Sequence, residues 1–494
     1  MSDAAALAGG QDLLGPPERL HPLYLLTGLG QALRGAWGML AAGAYFATQG
    51  SWLIVGFMAA LFVTFSVGSL YLRWLKLEYR VGAHEIRIDK GWLNRTSRAI
   101  PFDRVTDVDL EQGPLHRLLG LARVKLETGG SAGSKDEEGV LHTISLERAE
   151  ALREHVRARK GLAPAAVVAA AETEGSPLFA MTGKRVLIAG LFNFSLAVIA
   201  GLFGLTQTMG DALGFDPFER QFWIDLFSRS GPIRDLVMTN RIGAAVAGSA
   251  LLIILGIGTG IVRTLLREHG FRLDRTDSGF RRRRGLLTLT DVTIPAKRVQ
   301  AAILATGPVR HHFGWWELKL QSLAQDGGKG DHVVAPLARE LEAGDILDSL
   351  QWPADPRSGV WRPVSRAFVT SFIGILIPAT IATLAAMPFL GPIGLLWMAG
   401  GLVAIAVRWF DWKRTRYSLA NGALFVETGW WRHRRSIIPA RKIQSVDLAE
   451  SWWSRTFGIC TLRLGIAGGG GFSDHHVPAL TRPDAEALRA ELLA

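Results

Sequence analysis

One stretch of this sequence occurs three times at fixed spacing, so the chain must fold as three equivalent units. The first copy places Gly91, Ile100-Pro101, Arg104-Val105, Leu119-Gly120 and Val124-Lys125-Leu126 in order. The second keeps every interval with Gly285, Ile294-Pro295, Arg298-Val299, Phe313-Gly314 and Leu318-Lys319-Leu320. The third does so with Gly429, Ile438-Pro439, Lys442-Ile443, Phe457-Gly458 and Leu462-Arg463-Leu464. Internal repetition of this kind fixes the architecture before any other reading.

The 494 residues are too many for one ordinary core, and a hydrophobic share of 48% points to lipid-embedded segments. The formal charge of +11 fits either nucleic acid or an anionic membrane surface. The basic residues flank apolar spans and no aromatic-basic platform for nucleic acid is visible, so the membrane reading is favoured and nucleic acid is excluded. The single cysteine, Cys460, falls on an expected buried strand and is read as packing. The N-terminus lacks a basic start and a short apolar core, so the first span is expected to remain in the mature protein.

Charge-poor segments occur in pairs. Gly35 to Thr48 and Trp52 to Leu72 form a helical hairpin, as do Val186 to Leu205 with Gly243 to Val262, and Ala367 to Phe389 with Pro392 to Val407. Each is long enough to cross a bilayer, the first if it begins near Leu29, which gives six expected spans. Pro22-Leu23-Tyr24-Leu25-Leu26-Thr27-Gly28 before the first hairpin matches Pro177-Leu178-Phe179-Ala180-Met181-Thr182-Gly183 before the second, and Pro363-Val364 is a weaker third copy. The loop 206–242 in the second hairpin carries Phe218, Phe222 and Leu226 on one helical face, which suits either the interface plane or a lid on other helices. Arg73, Lys76, Arg80, Lys184, Arg185, Arg263, Arg267, Arg408, Lys413, Arg414 and Arg416 all collect on one side of the spans. By the positive-inside rule that side is cytoplasmic, with both termini and all soluble domains.

The soluble parts read as strands. Glu85-Ile86-Arg87-Ile88-Asp89 alternates polar and apolar residues before Gly91, Val105 to Leu110 alternates again, and Arg123 to Glu127 follows. Glycine-rich turns recur at Gly129-Gly130, Gly327-Gly328 and Gly468 to Gly471, and each unit closes with a helical pattern. About seven short strands and one C-terminal helix suggest a small barrel or sandwich plugged by the helix. The boundaries are an N-terminal segment 1–28, hairpin 29–72, domain 77–160, linker 161–176, hairpin 184–262, domain 268–352, hairpin 364–408 and domain 414–494.

Leu77-Glu78-Tyr79-Arg80, Ile100-Pro101-Phe102-Asp103-Arg104-Val105 and Gly113-Pro114-Leu115-His116-Arg117-Leu118-Leu119-Gly120-Leu121 together resemble the bacterial membrane-flanked domain of the YdbS/YdbT type. Arg19-Leu20-His21-Pro22-Leu23 is similar to the longer, YdbT-like members. The resemblance covers nearly the whole chain, and unit two departs most from it, with Phe271-Arg272-Leu273 and Thr288-Leu289-Thr290 replacing the tyrosine pattern and the basic turn. It implies a pleckstrin-homology-like (PH-like) fold for each soluble domain. The fold class is then membrane α plus β: six transmembrane helices in three hairpins, each followed by a cytosolic PH-like barrel or sandwich with a C-terminal helix. It also implies a plasma-membrane location and no established reaction.

Signals for chemistry are weak. Gly256-Ile257-Gly258-Thr259-Gly260 lies inside a span and reads as helix packing, not a phosphate loop. His311-His312 and His475-His476 lack the spacing of metal ligands. No nucleophile motif occurs in the right context, so no catalytic, cofactor or metal residue is assigned and the chain is expected not to be an enzyme. The basic clusters carry more. Arg95 and Arg98 in unit one, Arg281, Arg282, Arg283 and Arg284 in unit two, and Arg432, Arg434 and Arg435 beside Trp430 and Trp431 in unit three cluster near the turn glycines Gly91, Gly285 and Gly429. Two readings stand open: contact with anionic lipid or a partner, or solvated hairpin edges that guard against strand pairing. Pro101, Gly120, Pro295, Gly314, Pro439 and Gly458 are structural anchors of the repeat. The expectation is a scaffold or accessory protein of the plasma membrane, bound to the bilayer and to another membrane protein, for which a shorter single-unit sibling is a candidate by family analogy. The alternative is a component or regulator of a peptide or lipid export system, although no span carries a central charge of the kind that marks such routes.

Overall fold

The computed structural model of the chain describes residues 15–28, 43, 46, 50–91, 96–128, 139–159, 177–194, 240–326, 329–356, 359–467 and 475–493. Unit one comprises β1 (Glu18–Arg19), α1 (Trp52–Lys76), β2 (Glu78–Val81), β3 (Glu85–Lys90), β4 (Thr96–Pro101), β5 (Val105–Gln112), α2 (Pro114–Leu118), β6 (Leu121–Thr128), β7 (Val140–Ser145) and α3 (Leu146–Arg159). The alternation read from the sequence governs its packing. Ile86 and Ile88 of β3 are buried while their neighbours are half-exposed, and Val105, Val108 and Leu110 of β5 join the same core. Helix α3 closes the unit by burying Ala149, Leu152 and Val156, one face at helical spacing.

Unit two repeats the order with β8 (Phe179–Ala180), α4 (Gly183–Phe192), α5 (Arg241–Glu268), β9 (Arg272–Thr276), β10 (Gly279–Arg284), β11 (Leu289–Pro295), β12 (Val299–Thr306), α6 (Pro308–His312), β13 (Trp316–Asp326), β14 (Lys329–Ala338) and α7 (Glu340–Asp348). Unit three has β15 (Arg362–Pro363), α8 (Ala367–Ala385), α9 (Met387–Leu390), α10 (Pro392–Arg414), β16 (Arg416–Ala420), β17 (Ala423–Thr428), β18 (His433–Pro439), β19 (Ile443–Ala449), α11 (Trp452–Thr456), β20 (Ile459–Ile466), β21 (His476–Thr481) and α12 (Arg482–Leu493). The glycine anchors have a backbone cause. Gly91, Gly285 and Gly429 have φ of 104°, 115° and 87°, and a Cβ on Gly429 would lie 2.0 Å from the Arg432 carbonyl oxygen.

The units are not separate barrels, which corrects the domain division read from the sequence. Each contributes a first sheet (β1–β4, β8–β11 or β15–β18) and a second of three strands, and the second sheet of one unit continues into the first sheet of the next. Strand β5 pairs antiparallel with β11, and β12 with β18, giving two seven-stranded sheets across the unit boundaries. Glu111 faces Thr290 in one junction, and Ala305 faces Arg434 in the other. In the repeat numbering these are the same two positions, so both junctions share one register. The hydrophobic cores merge as well, since Ala423, Phe425 and Ile437 pack in the core of unit two.

A second correction concerns the entry to each unit. A two-residue strand on the far side of the hairpin opens every first sheet, and β1 pairs with β2, β8 with β9 and β15 with β16. The apolar segment before the second strand of each unit is therefore inserted within the domain. The matched segments Pro22–Gly28 and Pro177–Gly183 are not structural equivalents, because residues 24–28 are helical whereas Phe179–Ala180 is the strand β8. The equivalent of β8 is Glu18–Arg19, which has no sequence likeness to it.

Among the described residues four helices are long and apolar enough to cross a membrane: Trp52–Lys76, Val246–Glu268, Ala367–Ala385 and Gly394–Arg414. Of the six expected spans, the first lies outside the described residues apart from positions 43 and 46, and the third is described only through α4 and the two residues after it. The loop 206–242 falls outside them up to residue 239, as do the linker and the three glycine-rich turns. Helices α4 and α5 meet through glycine. A Cβ on Gly256 would lie 2.2 Å from the Phe194 ring and one on Gly260 2.3 Å from the Asn193 carbonyl oxygen, so this glycine run is a packing surface.

The first junction is pinned by Asp291, a buried carboxylate that accepts from Arg281 of its own unit (2.9 and 2.6 Å) and from Arg153 on α3 of unit one (3.1 Å). Replacing one member of a buried ion group strands the others without a partner. Asp291→Ala is therefore expected to destabilise the protein by about 3–5 kcal/mol, measured by thermal unfolding of the purified protein, with a much smaller loss for the exposed control Asp103→Ala.

Candidate membrane and partner interface

Helices α1, α5 and α10 run directly into the second strand of their units, so the soluble domains hang from the helix ends. The turn after β10 returns to that level, because Gly285 N donates to the His269 carbonyl (2.8 Å) and Leu286 N to the Leu266 carbonyl (3.0 Å). The short helices α2, α6 and α11 lie at the same pole. In unit three Trp453 Nε1 donates to the Ser371 carbonyl (3.1 Å), and in unit two Arg310 Nη2 donates to Asn193 Oδ1 (2.7 Å). Each contact ties a short helix to the first helix of its own unit. The opposite pole carries the turns after Pro295 and Pro439.

At the membrane pole of unit three the sequence places aromatic and basic residues together. Trp430 N donates to Asp411 Oδ1 (2.7 Å) and its ring stacks on Phe410 at 5.4 Å, while Lys413 sits 3.8 Å from the centre of the Trp409 ring. Trp431 and Arg432 remain exposed beside them. An indole with one apolar and one polar edge is favoured at a membrane surface, and a cation there is drawn to anionic headgroups.

The remaining predicted contacts divide sharply. Arg281, Arg282 and Arg284 are internal, which corrects the expectation of a basic surface cluster in unit two. Arg281 binds Asp291, Arg282 is fully buried with Nη1 donating to the Val333 carbonyl (3.1 Å), and Arg284 reaches Glu268 at the end of α5 (3.1 Å). Arg283 alone of the four keeps a side chain that is 46% exposed. In unit three Arg435 is held between Glu427 (2.8 Å) and Glu340 of unit two (2.7 Å), and Arg434 Nε donates to Ser436 Oγ (3.2 Å). Arg98 is exposed on β4, and Arg95 lies outside the described residues.

Sequence reading missed a cleft at the pole far from the helices. It encloses about 580 Å³ between units two and three, and Arg275, Lys297, Arg441, Lys442 and Trp352 are among its lining residues. Lys442 Nζ donates to the Lys297 carbonyl (2.9 Å), which holds the two units together at the cleft floor. Four cations and no acid line it. The signal in the sequence was the basic doublet after each proline in units two and three, where unit one has Asp103-Arg104.

The second junction also carries buried histidines. His433 stacks on His311 at 5.9 Å and meets the Trp316 ring edgewise at 5.5 Å, and His475 Nε2 lies 2.6 Å from Gln321 Oε1 of unit two. Burial pushes the His433 imidazole down to about 4 in spite of the nearby Glu427, and burial with Arg434 and His476 pushes His475 down to about 3. Burial opposes ionisation of Glu427 too, but Arg416 and Arg435 outweigh it and hold that carboxyl below its usual range. Among the described residues no group of histidine, cysteine and carboxylates is placed to hold a metal ion, and Cys460 is buried with Sγ 3.6 Å from the Leu480 carbonyl.

The bacterial PH domain family matches residues 25–160, 230–352 and 371–494. The chain is similar to the transmembrane protein YdbT of Bacillus subtilis (strain 168), with 21% identity over 458 residues that cover 86% of each chain. It is also similar to the transmembrane protein YdbS of the same organism, 30% identical over 107 residues, which span 21% of this chain and 64% of YdbS. No solved structure matches it significantly.

Because His433 and His475 are neutral in the folded chain, the unfolded chain binds more protons once the pH drops below about 6.5. Stability present above that pH is lost as the pH falls toward the folded values of about 4 and about 3. At pH 5, about 1.5 units below the unfolded value, each imidazole accounts for a loss of about 2 kcal/mol. Thermal unfolding at pH 7.5 and pH 5 should show a drop in midpoint that His433→Asn with His475→Gln reduces.

Proposed function

The chain belongs to the bacterial PH domain family, and from that premise we propose that it is a non-catalytic membrane scaffold that holds a partner protein at the inner leaflet. In this reading six helices in three hairpins cross the plasma membrane, with both termini and the three domains in the cytoplasm. The basic residues flanking the spans support that orientation. The observation that carries the proposal is the continuity of the sheets. Two seven-stranded sheets join three domains into one platform, so surfaces on different units keep a fixed spacing. Contacts that are weak singly then act together at high effective concentration.

The platform has two chemically distinct poles. Trp431 and Arg432 beside Trp409 and Lys413 suit the anionic leaflet, and the four-cation cleft suits an acidic segment of a partner. The partner in this reading is another membrane protein, and a single-unit relative of the YdbS kind is the first candidate, since it shares the unit and the membrane.

Crosslinking and mass spectrometry of the tagged protein in native membranes tests this. A partner captured by the wild type is expected to be lost in Arg441→Glu with Lys442→Glu, while Trp431→Ala with Arg432→Glu removes lipid crosslinks and leaves the partner. Capture of no partner, together with substrate flux in proteoliposomes, would overturn the scaffold in favour of an export role.

A further inference from the structure

The two junctions use one geometry twice, and the described residues leave one strand of each kind outside it. Strand β5 bonds to β11 and β12 bonds to β18, but β4 in unit one and β19 in unit three, their repeat equivalents, each pair on only one side among the described residues. Exposure follows the pairing. β12 is buried along almost its whole length whereas Gln444, Ser445 and Asp447 of β19 are exposed, and four of the six residues of β4 are exposed where β11 and β18 are largely covered. A strand with bare N–H and C=O groups is a template for another strand. The edges are complementary, because one is of the kind that always receives the other.

We propose that a second copy of this chain occupies these edges head to tail, with β19 of one molecule adding antiparallel to β4 of the next. Carrying over the register of the internal junctions puts Thr96 opposite Ala449, the positions where Thr290 faces Glu111 and Arg434 faces Ala305. The same register puts Arg98 opposite Asp447. Each is exposed on its strand, and they carry opposite charges. Asp447 already faces Arg463 on β20, so the added strand extends an existing charge ladder across the boundary. The internal junctions use charge the same way, with Arg153 on Asp291 at the first and Arg435 on Glu340 at the second. Contacts of this head-to-tail type give a closed ring when the rotation per step closes and an open arc when it does not. All copies share one membrane face, so association is confined to the membrane plane.

The test uses the full-length protein in native membranes. Thr96→Cys with Ala449→Cys, in a Cys460→Ser background, is expected to form disulfide-linked multimers of this chain on mild oxidation, and Thr96→Cys alone is not. Arg98→Glu or Asp447→Arg should each lower the crosslinked fraction by about tenfold, and the double reversal should restore it, a recovery that misfolding would not give. The proposal is overturned by an intramolecular disulfide within one chain. It is equally overturned by absence of any crosslink while the charge variants behave alike, or by multimers in which the edges are held by a different protein.

Discussion

An open β-sheet has two edges, and the N–H and C=O groups along them bond to water, to another strand, or to nothing at a cost of about 1–3 kcal/mol for each buried group left unsatisfied. The three-stranded second sheet of each unit here is too small to close on itself. In units one and two it is completed by the first sheet of the following unit, through β5 with β11 and β12 with β18. Most other features of the soluble part follow. The cores run across the boundaries, the C-terminal helices α3 and α7 reach over to the next unit, and the short entry strands β1, β8 and β15 cap the opposite edges.

Charge sets the order of joining. At one repeat position the first junction has Asp291, met by Arg153 of the preceding unit, and the second has Arg435, met by Glu340. The polarity is reversed between the two, so exchanging units would bring like charges together. A buried pair such as Arg153 with Asp291 adds little net stability over an apolar contact, but a wrong pairing there is costly. Lateral order along the array is thereby specified by two residues on one strand position. The histidines at the second junction add sensitivity to acid, since His433 and His475 are buried in neutral form against groups from unit two.

Much of the unit was legible in the sequence. The fixed spacing of Gly91, Pro101 and Gly120 with their two sets of counterparts marks turns that require left-handed backbone and strand ends that suit proline, and the structure has both at every copy. Alternation in Glu85 to Asp89 reported a half-buried strand because its faces meet different media. The junctions were not legible, because backbone hydrogen bonds between edges leave no side-chain signature. The run Arg281 to Arg284 misled for a different reason: four adjacent arginines look solvated, yet Asp291, Glu268 and the Val333 carbonyl accept from Arg281, Arg284 and Arg282, and these acceptors come close only once unit two has folded. The equivalence of β1 with β8 was hidden because two-residue strands are held by backbone alone.

The central claim is that β5 with β11 and β12 with β18 are true interior pairs, and amide hydrogen exchange on the full-length protein tests it most directly. The account predicts that amides of Asp291 and Leu110, and of their repeat equivalents Arg435 and Leu304, exchange as slowly as those between β12 and β13 inside unit two. Exchange at those positions as fast as in exposed loops would contradict it, and would mean three independent domains on a shared membrane anchor.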